Sequence, residues 1–197
     1  MRHIFIINPA AGKKDGRQRV YAMAEALKKN HNLDVECMLT KSRGHATALT
    51  RAIAETGDYV RFYACGGDGT VNEIANGIAG FPNAAMTCIP IGTGNDFLKN
   101  FGKDAEPLFL DAENLWNGDV TPLDLIDCNG KYCLTIDYTL SRILPSVETI
   151  TTSHGISFPL FSSAFFTACS MPPQQGTSIR TTVMLRMSLC FRISVSL

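Results

Sequence analysis

The feature that most constrains this chain is a repeated unit. A short apolar run stops at a small or glycine-rich polar turn, and a helical repeat follows. Ile4 to Ile7 reads as a buried strand entering the turn Asn8-Pro9-Ala10-Ala11-Gly12. Val20, Met23, Ala24 and Leu27 then recur at helical spacing, and that helix should stop near Asn30. Val35 to Leu39 is a second strand. Gly44 to Glu55 is a second helix, with Ala46, Leu49, Ala52 and Ile53 on one face and Gly57 closing it. Tyr59 to Cys65 is a third strand, followed by Gly66, Gly67 and Gly69 and a helix carrying Val71, Ile74, Ala75 and Ile78. Met86 to Ile91 is a fourth strand, ending in Gly92-Thr93-Gly94-Asn95-Asp96-Phe97. Strands joined by crossover helices predict an α/β fold with a parallel, doubly wound sheet, and function is expected where the strands end.

The pattern changes after a helix-like stretch from Ala105 to Trp116. Val120 to Cys128 and Lys131 to Ile136 flank Asn129-Gly130, a hairpin signal that reads as the start of a second, β-rich element. Ser141 to Thr182 is rich in Ser and Thr and lacks either periodicity. From Val183 to Leu197 every odd position is apolar, which predicts an amphipathic strand that has no sequential partner to join.

Composition narrows the class of partner. The 197 residues carry 18 basic and 18 acidic side chains, so the basic surplus of a nucleic-acid binder is missing. Beyond Leu140 the acid is Glu148, set against Arg142, Arg180, Arg186 and Arg192. Seven cysteines are scattered with no C-x-x-C pair, which reads as reduced thiols. No apolar stretch approaches the roughly 20 residues of a membrane span. We therefore expect a cytoplasmic protein whose membrane contact is limited to the surface.

Three strand-end turns hold residues that could carry chemistry. Gly66-Gly67-Asp68-Gly69-Thr70-Val71-Asn72-Glu73 lies between a strand and a helix. Glycines there let main chain approach a ligand, and the helix start offers free N–H groups to an anion. The plain alternative is a tight turn with Asp68 as a helix cap. Neither a P-loop nor a G-x-G-x-x-G fingerprint is present. Pro90 to Phe97 forms a second polar turn, whose plain reading is a loop with Asn95 or Asp96 as a cap. Asn8 to Gly12 is the third, followed by Lys13 and Lys14, which read as solvated charges. Thr40, after the second strand, could touch a ribose or a base edge.

Together these segments resemble the diacylglycerol kinase catalytic domain family, in particular bacterial soluble lipid kinases. The resemblance lies in N-P-A-A-G from Asn8, G-G-D-G-T-V-N-E from Gly66, I-P-I-G-T-G-N-D-F up to Phe97, and P-L-D-L-I from Pro122. It covers roughly residues 1 to 134. NAD kinases share the G-G-D-G-T turn, but the N-x-G-x-L-G-F segment of that kind is not found here. The resemblance implies an NAD kinase-like nucleotide-binding domain that passes the γ-phosphate of ATP to the hydroxyl of a lipid at a membrane surface, with Mg²⁺. Carried over residue by residue, nucleotide contacts fall to Asn8, Gly12, Thr40, Gly66, Gly67, Asp68, Gly69, Thr70, Val71, Asn72 and Thr93. Asp68, Asp96 and Asp124 match acidic positions of a metal and water network.

The resemblance stops in the next segment. In the family, P-L-D-L-I leads through a segment resembling N-x-x-x-x-G-F-D-A into a β-rich domain that supplies the lipid site and the acid proposed to activate the hydroxyl. Thr135-Ile136-Asp137-Tyr138 does not resemble it, and neither Asp137 nor Glu148 has support as a general base. We expect a domain at residues 1–134 and an irregular tail at 135–197, of the kind a shifted reading frame would produce. The family label is then lipid kinase, and a non-catalytic nucleotide-binding fragment is the expected behaviour of this polypeptide. NAD kinase is the third reading, and whether the chain forms a homodimer is left open.

Overall fold

The structure is a computed structural model that describes residues 1–12, 15–102, 105–128, 131–134, 149–151, 157–159 and 186–195. Its elements are β1 (Arg2–Ile7), α1 (Arg17–His31), β2 (Asp34–Leu39), α2 (His45–Ala54), β3 (Val60–Gly66), α3 (Asp68–Ile78), β4 (Ala84–Pro90), α4 (Glu106–Phe109), β5 (Asp119–Cys128), β6 (Lys131–Cys133), β7 (Thr149–Thr151), β8 (Ser157–Pro159) and β9 (Arg186–Val195). Two 3-10 helices, Asp96–Phe101 and Ala112–Asn114, flank α4. The chain divides into two units, Met1–Leu123 with Leu189–Leu197, and Asp124–Ser188.

In the first unit β1 to β4 form a parallel sheet in the order β2-β1-β3-β4. Every residue of β3 and β4 is buried, a condition that parallel strands reach when layers cover both faces of the sheet. This is the α/β arrangement that the strand and helix alternation predicts. β2 lies to one side of β1 and β3 to the other, so the winding reverses between β1 and β3. Ligand crevices in such sheets open beyond the strand ends at that reversal. The strands that flank it end in Asn8 and in Gly66-Gly67.

Three expectations need correction. The predicted helix from Ala105 to Trp116 is broken into α4 and a 3-10 turn. Asp111 is extended (φ −129°, ψ 117°), and its side chain accepts from the Glu113 N–H at 3.0 Å, which starts a new turn. The apolar stripe near the C-terminus is a strand, as its alternation predicts, but it does have a partner. β9 pairs parallel with β4 through Met86 and Ile193.

On α2, Ala46, Thr50 and Ala54 are buried, whereas Ala52 is exposed. The buried stripe is turned away from the expected face because α2 runs tight against α3. A Cβ on Gly77 would lie 2.0 Å from Thr50 Oγ1 and 2.7 Å from the Thr47 main-chain oxygen. Thr50 tolerates this burial by donating its hydroxyl to the Ala46 carbonyl at 2.8 Å.

A polar group is buried where these strands begin, at the end of the sheet away from the crevice. His3 and Arg61 are each 3% exposed and face each other in the β1–β3 register. Arg61 donates to the carbonyls of Leu115, Trp116 and Gly118, which compensates its burial. His3 Nδ1 and the Tyr63 hydroxyl lie 2.9 Å apart, and Phe5 stacks on Tyr63 at 4.2 Å.

In the second unit β5 and β6 are antiparallel, with Ile126 opposite Cys133 and Cys128 opposite Lys131. The hairpin turn at Asn129-Gly130 lies outside the described residues. β7 and β8 form a second antiparallel pair, with Ile150 opposite Phe158. Among the described residues no helix is long and apolar enough to cross a membrane.

Two stability outcomes follow from this packing. Overpacking costs about 1–3 kcal/mol, against about 1 kcal/mol that alanine gains over glycine in a helix. With a main-chain oxygen in the way, Gly77→Ala should lower the urea midpoint. Burial, and then the charge of Arg61, hold the His3 pKa down at about 4, from an ordinary 6.5. The unfolded chain therefore binds a proton that the folded chain refuses between those values. Stability should fall as pH drops through that window, by up to about 3 kcal/mol. Urea titrations at pH 7, 5.5 and 4.5 measure it, and His3→Gln should flatten the dependence.

Candidate functional site

The β3–β4 register brings Gly66 beside Pro90, so the two glycine turns leave the sheet side by side. The N–H groups of Ile91 and Gly92 both donate to the Gly66 carbonyl at 3.2 Å. A Cβ on Gly92 would come within 2.5 Å of Gly67 Cα and 2.8 Å of Gly67 N, so no side chain fits at position 92. α3 starts here with Gly67 as its N-cap, and no side chain caps it. The first-turn N–H groups of Asp68 and Gly69 have no acceptor within the helix. Gly69 is exposed, and a Cβ there would meet nothing within 4 Å.

Side chains lock this main-chain cradle. Asp68 Oδ1 accepts from the Phe97 N–H at 2.9 Å, tying the mouth of α3 to the 3-10 turn after β4. Asn8 Nδ2 donates to Thr70 Oγ1 at 3.2 Å, and Asn8 Oδ1 accepts from the Ala10 N–H at 3.0 Å. One asparagine thus closes its own turn and joins β1 to α3. Thr40 N–H donates to the Ile7 carbonyl at 2.8 Å, which holds the end of β2 to the end of β1. Gly12 is exposed, with φ 78°.

The predicted residues therefore separate into groups. Asn8, Gly66, Gly67, Asp68 and Thr70 are joined directly, and Gly12, Thr40 and Gly69 lie in the adjoining turns. Val71 is buried, and its N–H bonds to the Gly67 carbonyl. Asn72 is half-buried, and its Oδ1 has no partner among the described residues, as is true of Asn95 Oδ1. Such acceptors call for a donor, a hydroxyl or a bound water. Thr93 is exposed and lines an open pocket of about 230 Å³ with Gly94, Lys99 and Glu106. Lys13 and Lys14 lie outside the described residues.

The carboxylates are more dispersed. Asp96 is ion-paired with Lys99 at 2.6 Å. Asp124 belongs to the second unit, and its side chain lies outside the description. Among the described residues no group of three His, Cys, Asp or Glu side chains gathers as a metal site. Mg²⁺ typically takes one or two carboxylates and completes its shell with phosphate oxygens and water. Asp68 fits that role, with one oxygen engaged by Phe97.

Gly92 and Glu73 were visible within their motifs, but the sequence assigned neither of them a role. Glu73 Oε1 accepts from the Gly44 N–H at 2.8 Å and Oε2 from the Ala46 N–H at 3.2 Å, at the start of α2. The available signal was a helix start at Gly44 with no capping side chain of its own.

The family model for the diacylglycerol kinase catalytic domain matches residues 2–128. The chain belongs to the diacylglycerol kinase catalytic domain family. Diacylglycerol kinase of Bacillus subtilis (strain 168) is 32% identical over 134 residues, which cover 66% of this chain and 43% of that protein. The diacylglycerol kinase of Staphylococcus carnosus (strain TM300) is 36% identical over 133 residues, covering 66% and 42%. A crystal structure of a diacylglycerol kinase from Bacillus anthracis str. Sterne matches with a TM-score of 0.54 at 29% identity, over 75% of this chain and 57% of that one. This diacylglycerol kinase family chain spans less than half the length of the two curated relatives.

The cradle itself can be tested. Gly92→Ala must push the two turns apart, and a loss of about 1–3 kcal/mol is expected. Thermal melting checks this, since a cradle that could open freely would leave the midpoint unchanged.

Proposed function

We propose that this chain binds ATP at the Gly66–Gly69 turn, as the nucleotide-binding part of a lipid kinase that phosphorylates diacylglycerol or a related lipid hydroxyl. The observation that carries the reading is the uncapped mouth of α3, beside the Gly67–Gly92 contact, at the reversal of the sheet. There main-chain N–H groups meet phosphate without an intervening side chain. The reading assigns residues 1–134 to the nucleotide-binding domain and 135–197 to a tail.

In this reading Gly67, Asp68 and Gly69 hold phosphate oxygens, and Asn8 and Thr70 keep the turn in place. Gly12, Thr40, Asn72 and Thr93 surround the rest of the nucleotide. Mg²⁺, bound with the nucleotide, supplies charge neutralisation, with Asp68 as its carboxylate on this unit. Phosphoryl transfer depends mainly on positioning and charge stabilisation, which suits a site made of rigid main chain.

A second reading is nucleotide binding without transfer. It is favoured by the make-up of the turn itself, where uncapped main-chain N–H groups suffice to hold an anion and need no reacting side chain. Isothermal titration with ATP and Mg²⁺ tests binding, and label transfer from ATP to diacylglycerol in mixed micelles tests catalysis. Binding with transfer supports the kinase, and binding without transfer supports the second reading. Transfer to NAD in place of lipid would favour the NAD kinase reading, and no binding removes all three.

Gly69→Ala is the informative variant. Alanine in the first turn should raise the melting temperature or leave it unchanged, since the space is open and Ala gains about 0.5–1 kcal/mol over Gly in a helix. A phosphate against Gly69 would nonetheless be displaced, and ATP should bind at least about tenfold more weakly, about 1.4 kcal/mol. Asp68→Asn keeps an acceptor for the Phe97 N–H, so the fold should persist while the Mg²⁺ dependence of ATP binding weakens.

A further inference from the structure

Glu73 ends the glycine motif but lies five residues into α3, about 7–8 Å along the axis from Asp68. That is too far to share a phosphate with the first turn. Its carboxylate is instead committed to α2. Oε1 accepts from the Gly44 N–H at 2.8 Å and Oε2 from the Ala46 N–H at 3.2 Å, and the Glu73 carbonyl accepts from Thr47 Oγ1 at 2.8 Å.

α2 needs this help. It has no acid in its first turn, and its N-cap, Gly44, has no side chain. The first N–H groups of a helix require acceptors, and a carboxylate there also meets the positive end of the dipole. Glu73 supplies from the neighbouring helix what the local sequence lacks.

The segment that enters α2 begins with Thr40 and runs through Lys41, Ser42 and Arg43 to Gly44. Thr40 is held to β1 through the Ile7 carbonyl at 2.8 Å, and the Lys41 N–H donates to His45 Nδ1 at 3.0 Å. Gly44 is left-handed, with φ 81°, a conformation that glycine adopts freely. Glu73 therefore fastens the far end of a segment whose near end is fastened to the sheet.

We propose that Glu73 is a positioning residue for nucleotide binding. It fixes the β2–α2 segment, and Thr40 with it, relative to the phosphate turn on its own helix. The nucleoside side and the phosphate side of the ligand then meet a site of constant spacing. This role rests on the ATP-binding reading above, with Thr40 on the nucleoside side.

The test compares two probes on the full chain, ATP and inorganic tripolyphosphate, by isothermal titration well below the melting temperature. For Glu73→Ala the ATP dissociation constant should rise about tenfold, while that for tripolyphosphate stays within about twofold. Glu73→Gln, which keeps one acceptor, should fall between wild type and alanine, and it carries the comparison if the alanine variant does not fold. Equal weakening of both probes would mean that Glu73 only supports the fold, and it would overturn the proposal. Unchanged ATP binding in variants of a wild type that binds ATP would overturn the positioning role alone. A wild-type chain that binds no ATP would overturn the nucleotide reading, and this role with it.

Discussion

The candidate site depends on a contact between two stretches of bare main chain. β3 and β4 are parallel and in register up to Gly66 and Pro90, so their following turns emerge together. Gly92 then lies where a Cβ would be 2.5 Å from Gly67 Cα. This approach allows one carbonyl, that of Gly66, to accept from both Ile91 and Gly92. It also brings Phe97 N–H within 2.9 Å of Asp68 Oδ1. A side chain at Gly92 would separate the turns and strain both ties, so this glycine is a steric requirement of the fold with or without a ligand.

β3 does opposite work at its two ends. Gly66 and Gly67 present naked backbone at one end, while Arg61, about 16 Å back along the strand, is buried under three carbonyls of residues 115–118. A buried guanidinium is costly unless its donors are met. Those carbonyls meet most of them, and they hold the segment that runs into β5. The same strand thus anchors the chain's exit at one end and opens the crevice at the other.

How much of this was legible follows from the range of each interaction. Strands β1 to β4 and helices α1 to α3 were readable because apolar periodicity and glycine punctuation are local signals, and their ends shift by one or two residues only. The three turns were readable for the same reason. The break at Asp111 was missed because a side chain that accepts from its second neighbour looks, in sequence, like any polar residue on a helix. The partner of β9 was missed because Met86 and Ile193 lie far apart in the chain. Ala52 was misplaced because the packing of Gly77 against Thr50 sets the rotation of α2, and periodicity on one helix does not record its neighbour. Glu73 escaped notice because its partners, Gly44 and Ala46, lie on another helix.

The site therefore combines two kinds of rigidity. Around the Gly66–Gly69 turn, atoms are fixed by steric exclusion, since the approach of Gly92 to Gly67 leaves no room for a side chain at position 92. Around Thr40, atoms are fixed by hydrogen bonds that reach from β1 and from α3. Steric fixing tolerates no substitution and asks nothing of protonation, whereas hydrogen-bond fixing can be weakened in steps by changing an acceptor. A ligand that spans both regions reads each through a different physical term. Forcing the Gly67–Gly92 contact apart disturbs the sheet itself, while loosening the ties at Thr40 leaves it in place. This separation makes Gly92 uninformative about ligand identity, because it is needed with or without one. It leaves the peripheral ties at Thr40 and Glu73 as the places where recognition can be distinguished from folding.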